Sequence, residues 1–478
     1  MPIVRRPSNA ASLLGGAITP PANPCRHPAP RFASPWQGQP DASGTVAVVG
    51  AGKMGLPLAA QFASHGWRVI AVDVSEGVIE AINAGRTGDL DEPGVAELVA
   101  TAHAEGRLRA TSDAAAAARE ADVVVLIVPV MLDDRHQPDF RIMDAAVGSI
   151  GPGIHAGSLV IFETTLPVGE TRGRFTPQLE RASGLRAGED FDVAFSPERL
   201  FSGAVLRNLA TYPKLVGGLT PAATALAARF YDGVLDAEVV AMSSAEAAEF
   251  AKLADTTYRD VNIALANEFA AYADRIGVDV TEVIDAANSQ PYSHVHQPGL
   301  GVGGHCIPVY PHFLLSRAPE LGLVARARAV NDGQVERALK VIRETVGELH
   351  DRPVLVLGLT YRAGVKELAY SRGVALVDAL LAAGARVEAA DPLLSDSEIQ
   401  VLGATPWHPG SPSAAEVIVS QTTDTAWRDL DPAWFGGLRL LIDGRNSLRS
   451  LRLPEGAIYR GIGVAAAGNP EPAPVERA

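Results

Sequence analysis

Two places in this 478-residue sequence combine residue types and spacing that could do chemistry. One is Cys306, set in the glycine-rich stretch PGLGVGGHCIPVYPHF, residues 298–313. The other is Gly50-Ala51-Gly52-Lys53-Met54-Gly55, followed about 20 residues on by Asp73. In the second, Gly50 permits a tight turn, Gly52 lets backbone approach a pyrophosphate, and Gly55 lets helix and strand pack closely. The following helix would present free N–H groups to phosphate. Asp73 would accept from a ribose 2′-OH and repel a 2′-phosphate, which favours NAD over NADP. With NAD present, a thiolate at Cys306 could add to an aldehyde, lose hydride to give a thioester, and let water release an acid. A metal is a poor alternative: His294, His296 and His305 lie near Cys306, but the loop has no Asp or Glu beside them, and a zinc-bound thiolate could not attack.

The elements that must position these groups are legible as periodicities. TVAVVG is a short apolar run fit for a buried strand, KMGLPLAAQFASHG has helical spacing, and WRVIAVD is a second strand ending in an acid, together a βαβ unit. Strand patterns recur at 121–129, 158–165 and 192–198, with helical patterns at 139–150 and 169–182 between them, which implies a mostly parallel, doubly wound sheet. From about 243 to 346 the strand signal gives way to Ala-rich helical patterns. One of these, SSAEAAEFAKLADTTYRDVNIALANEFAAYADRIG, would make a helix about 50 Å long and could bridge two domains. A second alternating region starts at RPVLVLGLT (352–360) and runs through SRGVALVDALLAAG, ARVEAADP, AEVIVSQTTD and LRLLIDGRN. It echoes the first half without the glycine fingerprint, so its sheet should bind something other than a dinucleotide in the usual way.

The expected fold is α/β: two Rossmann-like doubly wound domains joined by a long central helix and a helical middle domain. The expected divisions are a disordered leader at 1–44, an NAD-binding domain at 45–241, a central helical domain with the reactive Lys and Cys at 242–346, a third domain at 347–463 and a disordered tail at 464–478. Apolar residues make up 47% of the sequence, ample for several cores. With 41 basic against 55 acidic residues there is no basic stripe for nucleic acid or an anionic membrane, and no apolar segment is long enough to span a bilayer. Two cysteines cannot form a disulfide framework, which suits a reducing cytoplasm. The Arg5-Arg6 pair has no convincing apolar export segment after it.

Five motifs in order, ETTLPVGET (163–171), SPER (196–199), EFAKLAD-TYRDVNIALANE, GVGGHCIP and DGRN (443–446), together with the dinucleotide turn, resemble the UDP-glucose/UDP-N-acetylmannosamine dehydrogenase family from about 45 to 462. The GGHCIP and SPER forms look like the branch that oxidises UDP-N-acetylhexosamines. The resemblance implies an NAD-dependent UDP-sugar 6-dehydrogenase of polysaccharide biosynthesis, UDP-ManNAc favoured, dimeric through the central helices. It assigns Cys306 as nucleophile, Lys252 to oxyanion stabilisation, Glu198 to acid/base work on the hydrolytic water, and Thr165 to holding water or cofactor, and it puts Thr256 at a position in the hydrogen-bonding shell around thiol and water. Gly50, Gly52, Lys53, Met54, Gly55 and Asp73, with Thr165, would hold NAD. Arg199, Leu200, Lys252, Gln297, Gly301, Gly303, Tyr361, Arg362 and Arg445 would hold the UDP-sugar. A helix would align Lys252, Thr256 and Arg259 on one face toward a cleft.

Four positions depart from the family pattern. Thr256 stands for an expected Asn, Tyr310 for an Asp four residues after the nucleophile, Ala369 for an arginine associated with cofactor contact, with Arg372 three residues later, and SQPYSHVHQPG lacks an arginine that often reaches into a neighbouring subunit. Either Tyr310 and Thr256 rebuild the hydrogen-bonding shell around thiol and water, or hydrolysis of the thioester is impaired. The competing functions are a UDP-glucose 6-dehydrogenase, a degenerate nucleotide-sugar-binding protein, and a two-electron hydroxyacid dehydrogenase; the last leaves Cys306 and the second sheet without a role.

Overall fold

A computed structural model describes residues 44–464. The leader and tail expectations fall outside that span, apart from its two end residues. The first sheet is built from β1 Thr45–Val49, β2 Arg68–Val72, β3 Leu108–Thr111, β4 Val123–Leu126, β7 Leu159–Phe162, β8 Asp192–Phe195, β9 Lys214–Gly218 and β10 Val239–Ala241; β5 Met131–Leu132 and β6 Pro138–Asp139 form a separate small hairpin. Its spatial order is β10-β9-β8-β7-β4-β1-β2-β3, so the chain reverses direction across the sheet between β1 and β4. All pairings are parallel except β8 with β9. Strand interiors such as VAVV and VVVL are fully buried, as expected when helices cover both faces of a parallel sheet.

The second sheet, β11 Pro353–Leu357, β12 Arg386–Ala390, β13 Thr405–Pro406, β14 Val417–Ser420, β15 Leu440–Asp443 and β16 Ile458–Gly461, is parallel throughout and ordered β13-β12-β11-β14-β15-β16. It repeats the winding of the six strands that begin the first sheet. The echo extends to single atoms. Asp73 at the end of β2 accepts from Ala51 N at 2.9 Å, and Asp391 at the end of β12 accepts from Leu359 N and Thr360 N at 2.8 Å each. A Cβ on Gly55 would lie 1.7 Å from the Gly50 carbonyl oxygen, and one on Gly373 would lie 2.4 Å from that of Gly358. The third domain therefore has the same close strand–helix approach, with its two glycines 15 residues apart instead of five. The direct consequence is that a long loop, 359–371, emerges where the first domain has a tight phosphate turn.

Between the sheets runs the helix Ala245–Ile276, 32 residues and about 48 Å long. Ser244 caps its start, accepting from Ala247 N, and Gly277 ends it in the left-handed conformation at φ 71°. Ala245, Ala248 and Leu253 enter the core of the first domain, whereas Ala266, Ala270 and Ala273 pack with Val280 and Ile284. The far end of the chain returns to this helix: Gly463 lies against Ala270, and its carbonyl accepts from Val280 N at 2.8 Å. Each end of the one helix is thus fixed by a different core. Among the described residues no helix is long and apolar enough to cross a membrane.

Candidate active site

Gly50 takes φ 100°, a conformation L side chains rarely adopt, and its N–H closes on the Val72 carbonyl at 2.8 Å. A Cβ on Gly52 would meet nothing within 4 Å, so that side of the turn is open to an incoming group. Met54 precedes the helix Gly55–Ser64 and no side chain caps its free N–H groups. Asp73 holds Ala51 N with one oxygen and Ser75 N, at 2.9 Å, with the other. The tight turn, open approach, uncapped helix start and strand-end acid fit a dinucleotide pyrophosphate and ribose.

At the carboxyl ends of β7 and β8, the ETT and SPE segments turn toward the long helix. Cys306 is a free, half-buried thiol facing them. The Tyr310 hydroxyl is hydrogen-bonded to both Cys306 and Thr165, in the sense that Thr165 donates to Tyr310 and Tyr310 donates to the sulfur. Lys252 is buried on the helix with its ammonium 5.6 Å from the Tyr310 ring centre, and no carboxylate among the described residues forms an ion pair with it: Glu249 accepts from Gly169 N and Thr171 N, and Asp255 faces Arg259. Burial pushes the Cys306 thiol up; the Lys252 charge, the Tyr310 hydrogen bond and the Arg259 charge pull it down, and the Glu198 carboxylate opposes them. Five expected or flagged groups, Cys306, Lys252, Glu198, Thr165 and Tyr310, therefore share one small space.

Thr256 differs from its expected role. It is fully buried, but its hydroxyl donates to the Lys252 carbonyl at 3.1 Å, a bond within the helix, so its donor is not free for the thiol or for water. Arg199 donates to the Pro213 carbonyl, and Leu200 donates its N–H to a Glu198 carboxylate oxygen. Glu198 N itself is held by the Glu163 carbonyl at 3.1 Å.

The loop carrying Cys306 packs against the second sheet. Gly304 N donates to Ala369 O at 3.0 Å, and a Cβ on Gly303 or Gly304 would strike Tyr361 at about 3 Å. Gly301, at φ 99°, fits against Asn331 and Arg372, and Gly299 against Arg445. The Arg445 guanidinium is held by one hydrogen bond, from Nε to the Gln421 carbonyl at 3.1 Å, with no carboxylate bonded to the guanidinium among the described residues; the Arg445 backbone N–H donates to Asp443 Oδ1 at 3.2 Å. Arg362 reaches the Ser202 carbonyl at 3.1 Å and so joins the third domain to the segment after Glu198. Gln297 is exposed at the start of the loop.

Sequence reasoning missed a three-domain ionic contact. Glu367, from the 359–371 loop, accepts from Lys53 of the dinucleotide turn at 2.8 Å and from His305, beside the thiol, at 3.0 Å. Burial raises the Glu367 carboxyl, but Lys53, the Ala369 N–H and His305 outweigh it and hold it at about 2. It also missed a buried set beneath the site: Glu163 accepts from Lys214 at 2.8 Å and from the Tyr231 hydroxyl at 2.5 Å. Neither could be found from spacing, since the partners are 314 and 51 residues apart. His294, His296, His305 and Cys306 do not gather, and the described residues contain no cluster of three or more His, Cys, Asp or Glu suited to a metal ion.

Three family models cover the chain in succession: the UDP-glucose/GDP-mannose dehydrogenase family NAD binding domain at 44–235, central domain at 246–332 and UDP binding domain at 355–450. The UDP-N-acetyl-D-mannosamine dehydrogenase of Pyrococcus horikoshii is 33% identical over 428 residues, 87% of this chain and 99% of that protein. The NDP-N-acetyl-D-galactosaminuronic acid dehydrogenase of Ralstonia nicotianae is 36% identical over 70% of this chain and 80% of its own. A solved structure of the Pyrococcus horikoshii UDP-ManNAc dehydrogenase matches with TM-score 0.78 and 32% identity over 88% of this chain and 99% of that one. A UDP-glucose dehydrogenase from Pyrobaculum islandicum matches with the same TM-score, 28% identity, and 89% and 99% coverage. Backbone likeness thus does not separate the sugars.

Proposed function

We propose, given that the chain belongs to the UDP-glucose/GDP-mannose dehydrogenase family and is an NAD-dependent nucleotide-sugar dehydrogenase, that it oxidises C6 of a UDP-N-acetylhexosamine, UDP-ManNAc first, to the uronate. The observation that carries this reading is the convergence of Lys252, Glu198 and the Thr165–Tyr310 hydrogen bonds on the Cys306 thiol, between an NAD-type turn and the second sheet. The sugar class rests on the acetamido-sugar relatives and on the GGHCIP and SPER segments.

NAD, when bound, supplies the hydride acceptor twice per turnover. The first oxidation takes the alcohol to an aldehyde; Cys306 then adds through sulfur to the aldehyde carbon, forming a thiohemiacetal. Loss of a second hydride from that carbon leaves a thioester, and water breaks the C–S bond to give the carboxylate and return the thiol. Lys252, in no ion pair among the described residues, stabilises the oxyanion at each addition; such an interaction contributes about 3 kcal/mol. Glu198 takes the proton from the attacking water. Tyr310 donates to the sulfur and favours thiolate as nucleophile and leaving group. Arg445, Arg362 and Tyr361 hold the nucleotide portion, with Gln297, Gly301 and Gly303 closing the loop over it.

The reading includes a homodimer and a cytoplasmic setting. Along the long helix Tyr258, Leu265, Phe269 and Tyr272 form an exposed apolar stripe, the first and last more than half exposed, which supports pairing with a second copy. The test is a panel of UDP-sugars with NAD. Two NADH per UDP-N-acetylhexosamine are expected, with no acid from Cys306→Ser and a severe slowing in Lys252→Ala. One NADH per sugar, or full NADH yield from the serine variant, overturns the mechanism. Binding without NADH formation supports a degenerate binding protein instead.

A further inference from the structure

The segment that carries Glu198 runs between two strand ends, and both hold it. On one side the Glu163 carbonyl, just past the end of β7, accepts from Glu198 N at 3.1 Å. On the other, Ser196 Oγ donates to the Leu215 carbonyl at 2.8 Å and Arg199 donates to the Pro213 carbonyl, both at the start of β9. β9 starts at this edge because it runs antiparallel to β8, with Phe195 opposite Gly217. A parallel strand would bring its last residues here; the antiparallel one brings Lys214.

The two holds are joined by charge. Lys214 reaches across β8 to Glu163 Oε2 at 2.8 Å, and Tyr231, on the helix Pro221–Asp232, donates to Glu163 Oε1 at 2.5 Å. Glu163 and Tyr231 are wholly buried and Lys214 nearly so. Burial, and then the Glu163 charge, push the Tyr231 hydroxyl well up, so it stays protonated and is the donor. Each carboxylate oxygen has its own donor, which fixes the plane of the group. A buried ion pair is commonly no more stabilising than apolar residues of the same volume, so stability alone gives no reason for this one. Orientation does: the residue whose carboxylate is fixed is also the one whose carbonyl holds Glu198 N.

We propose that Glu163, Lys214 and Tyr231 are positioning residues for Glu198, and that the step they serve is hydrolysis of the thioester. This rests on the role given to Glu198 above and adds what aims it. In that step the water oxygen bonds to the acyl carbon, its proton passes to the Glu198 carboxylate, and the C–S bond breaks to return the thiolate. The three residues touch none of these atoms. The two NADH-forming steps do not use Glu198, so a loosened carboxylate slows the last step and spares the earlier ones.

The test follows the full chain with NAD and radiolabelled UDP-ManNAc, or UDP-glucose if that is the sugar the native protein oxidises. Rapid mixing gives the NADH formed before the first hydrolysis and the steady rate after it. Acid quench during turnover gives the label carried on precipitated protein and released by hydroxylamine, which counts the thioester. Tyr231→Phe removes one donor and keeps the ring; Glu163→Gln keeps the shape and removes the charge. Urea unfolding confirms that each variant is folded. In both, the steady rate is expected to fall about ten- to a hundredfold, the cost of a misplaced group of about 1 Å. The early NADH phase should stay within about twofold, trapped thioester should rise toward one per subunit, and alkylation of Cys306 should not slow. An early phase slowed as much as the steady rate, or a steady rate left unchanged in both folded variants, overturns the positioning role and leaves the mechanism standing. A native protein that makes two NADH per sugar but whose Glu198→Gln variant hydrolyses normally overturns the role of Glu198, and the positioning role with it.

Discussion

Replacing Tyr310 by Phe tests the idea that its hydroxyl is what keeps Cys306 nucleophilic in a buried setting. Burial pushes the thiol up, and two nearby groups are the main counterweights: the Lys252 ammonium and the Tyr310 O–H bonded to the sulfur. A hydrogen bond to a charged acceptor contributes about 1.5–3 kcal/mol. Removing it costs the thiolate that much relative to the thiol, so at neutral pH the thiolate population should fall about ten- to a hundredfold. Because the variant's thiol is pushed further up, the rising limb of any thiolate-dependent rate should move to higher pH. The assay is the rate of iodoacetamide alkylation against pH, on the full chain, with Cys306→Ser as the blank. Thr165→Val, which removes only the bond to Tyr310's oxygen, should move the limb in the same direction by less. An unmoved or lowered limb in the phenylalanine variant, or native alkylation rates at neutral pH, refutes the reasoning.

Three further outcomes are expected. Gly55→Ala places a Cβ 1.7 Å from the Gly50 carbonyl, so the turn must open; NAD affinity by fluorescence titration should fall at least about tenfold. Lys214→Met strands the Glu163 carboxylate in the core and should cost about 3–5 kcal/mol in urea unfolding, part of which adding Glu163→Gln should restore. Glu367→Gln should raise KM for NAD by loosening Lys53 and His305 together. Since the native carboxyl is depressed from 4.5 to about 2, its contribution to stability is present above pH 4.5 and lost as pH falls toward about 2; the melting-temperature gap between native and variant should close over that window.

What the sequence disclosed was local. Gly50, Gly55 and Asp73 lie within one βαβ unit, and the close helix–strand approach they predict is the one observed. The long helix was legible from its alanine spacing, and the Ser244 and Gly277 caps trim it by only a few residues. Strand cores at 123–126, 159–162 and 192–195 fall inside their predicted runs. The antiparallel β9 and its neighbour β10 were not legible, because KLVGG and VVA are too short and too glycine-rich to carry a pattern. The third domain's fingerprint was invisible for a different reason. Its glycines and acid, Gly358, Gly373 and Asp391, keep the geometry of the first domain, but the inserted loop breaks the spacing by which such a turn is recognised. Thr256 is fully buried on the long helix one turn beyond Lys252, and its hydroxyl bonds along the helix, which periodicity cannot reveal.

The departures from the family pattern bear on whether the site is intact or relaxed. A site under no demand loses contacts independently, one residue at a time. Here Tyr310, in place of an acid, engages both the thiol and Thr165. Ala369, in place of an arginine, carries no charged side chain, yet its carbonyl holds Gly304 N and its N–H holds Glu367. Glu367 then grips the lysine of the dinucleotide turn and the histidine beside the nucleophile through one oxygen. The segments at 310 and 369 therefore act on the same short loop from opposite sides, one through the thiol and the other through main-chain hydrogen bonds and, by way of Glu367, the histidine. A loop restrained at both Cys306 and His305 has fewer conformations to lose on reaching a reactive geometry. That coupling predicts non-additivity: Tyr310→Phe and Glu367→Gln together should slow alkylation of Cys306 by less than the product of their separate effects, since either one alone already frees the loop. Strictly multiplicative effects would mean that the two restraints are independent and that the loop is held by something else.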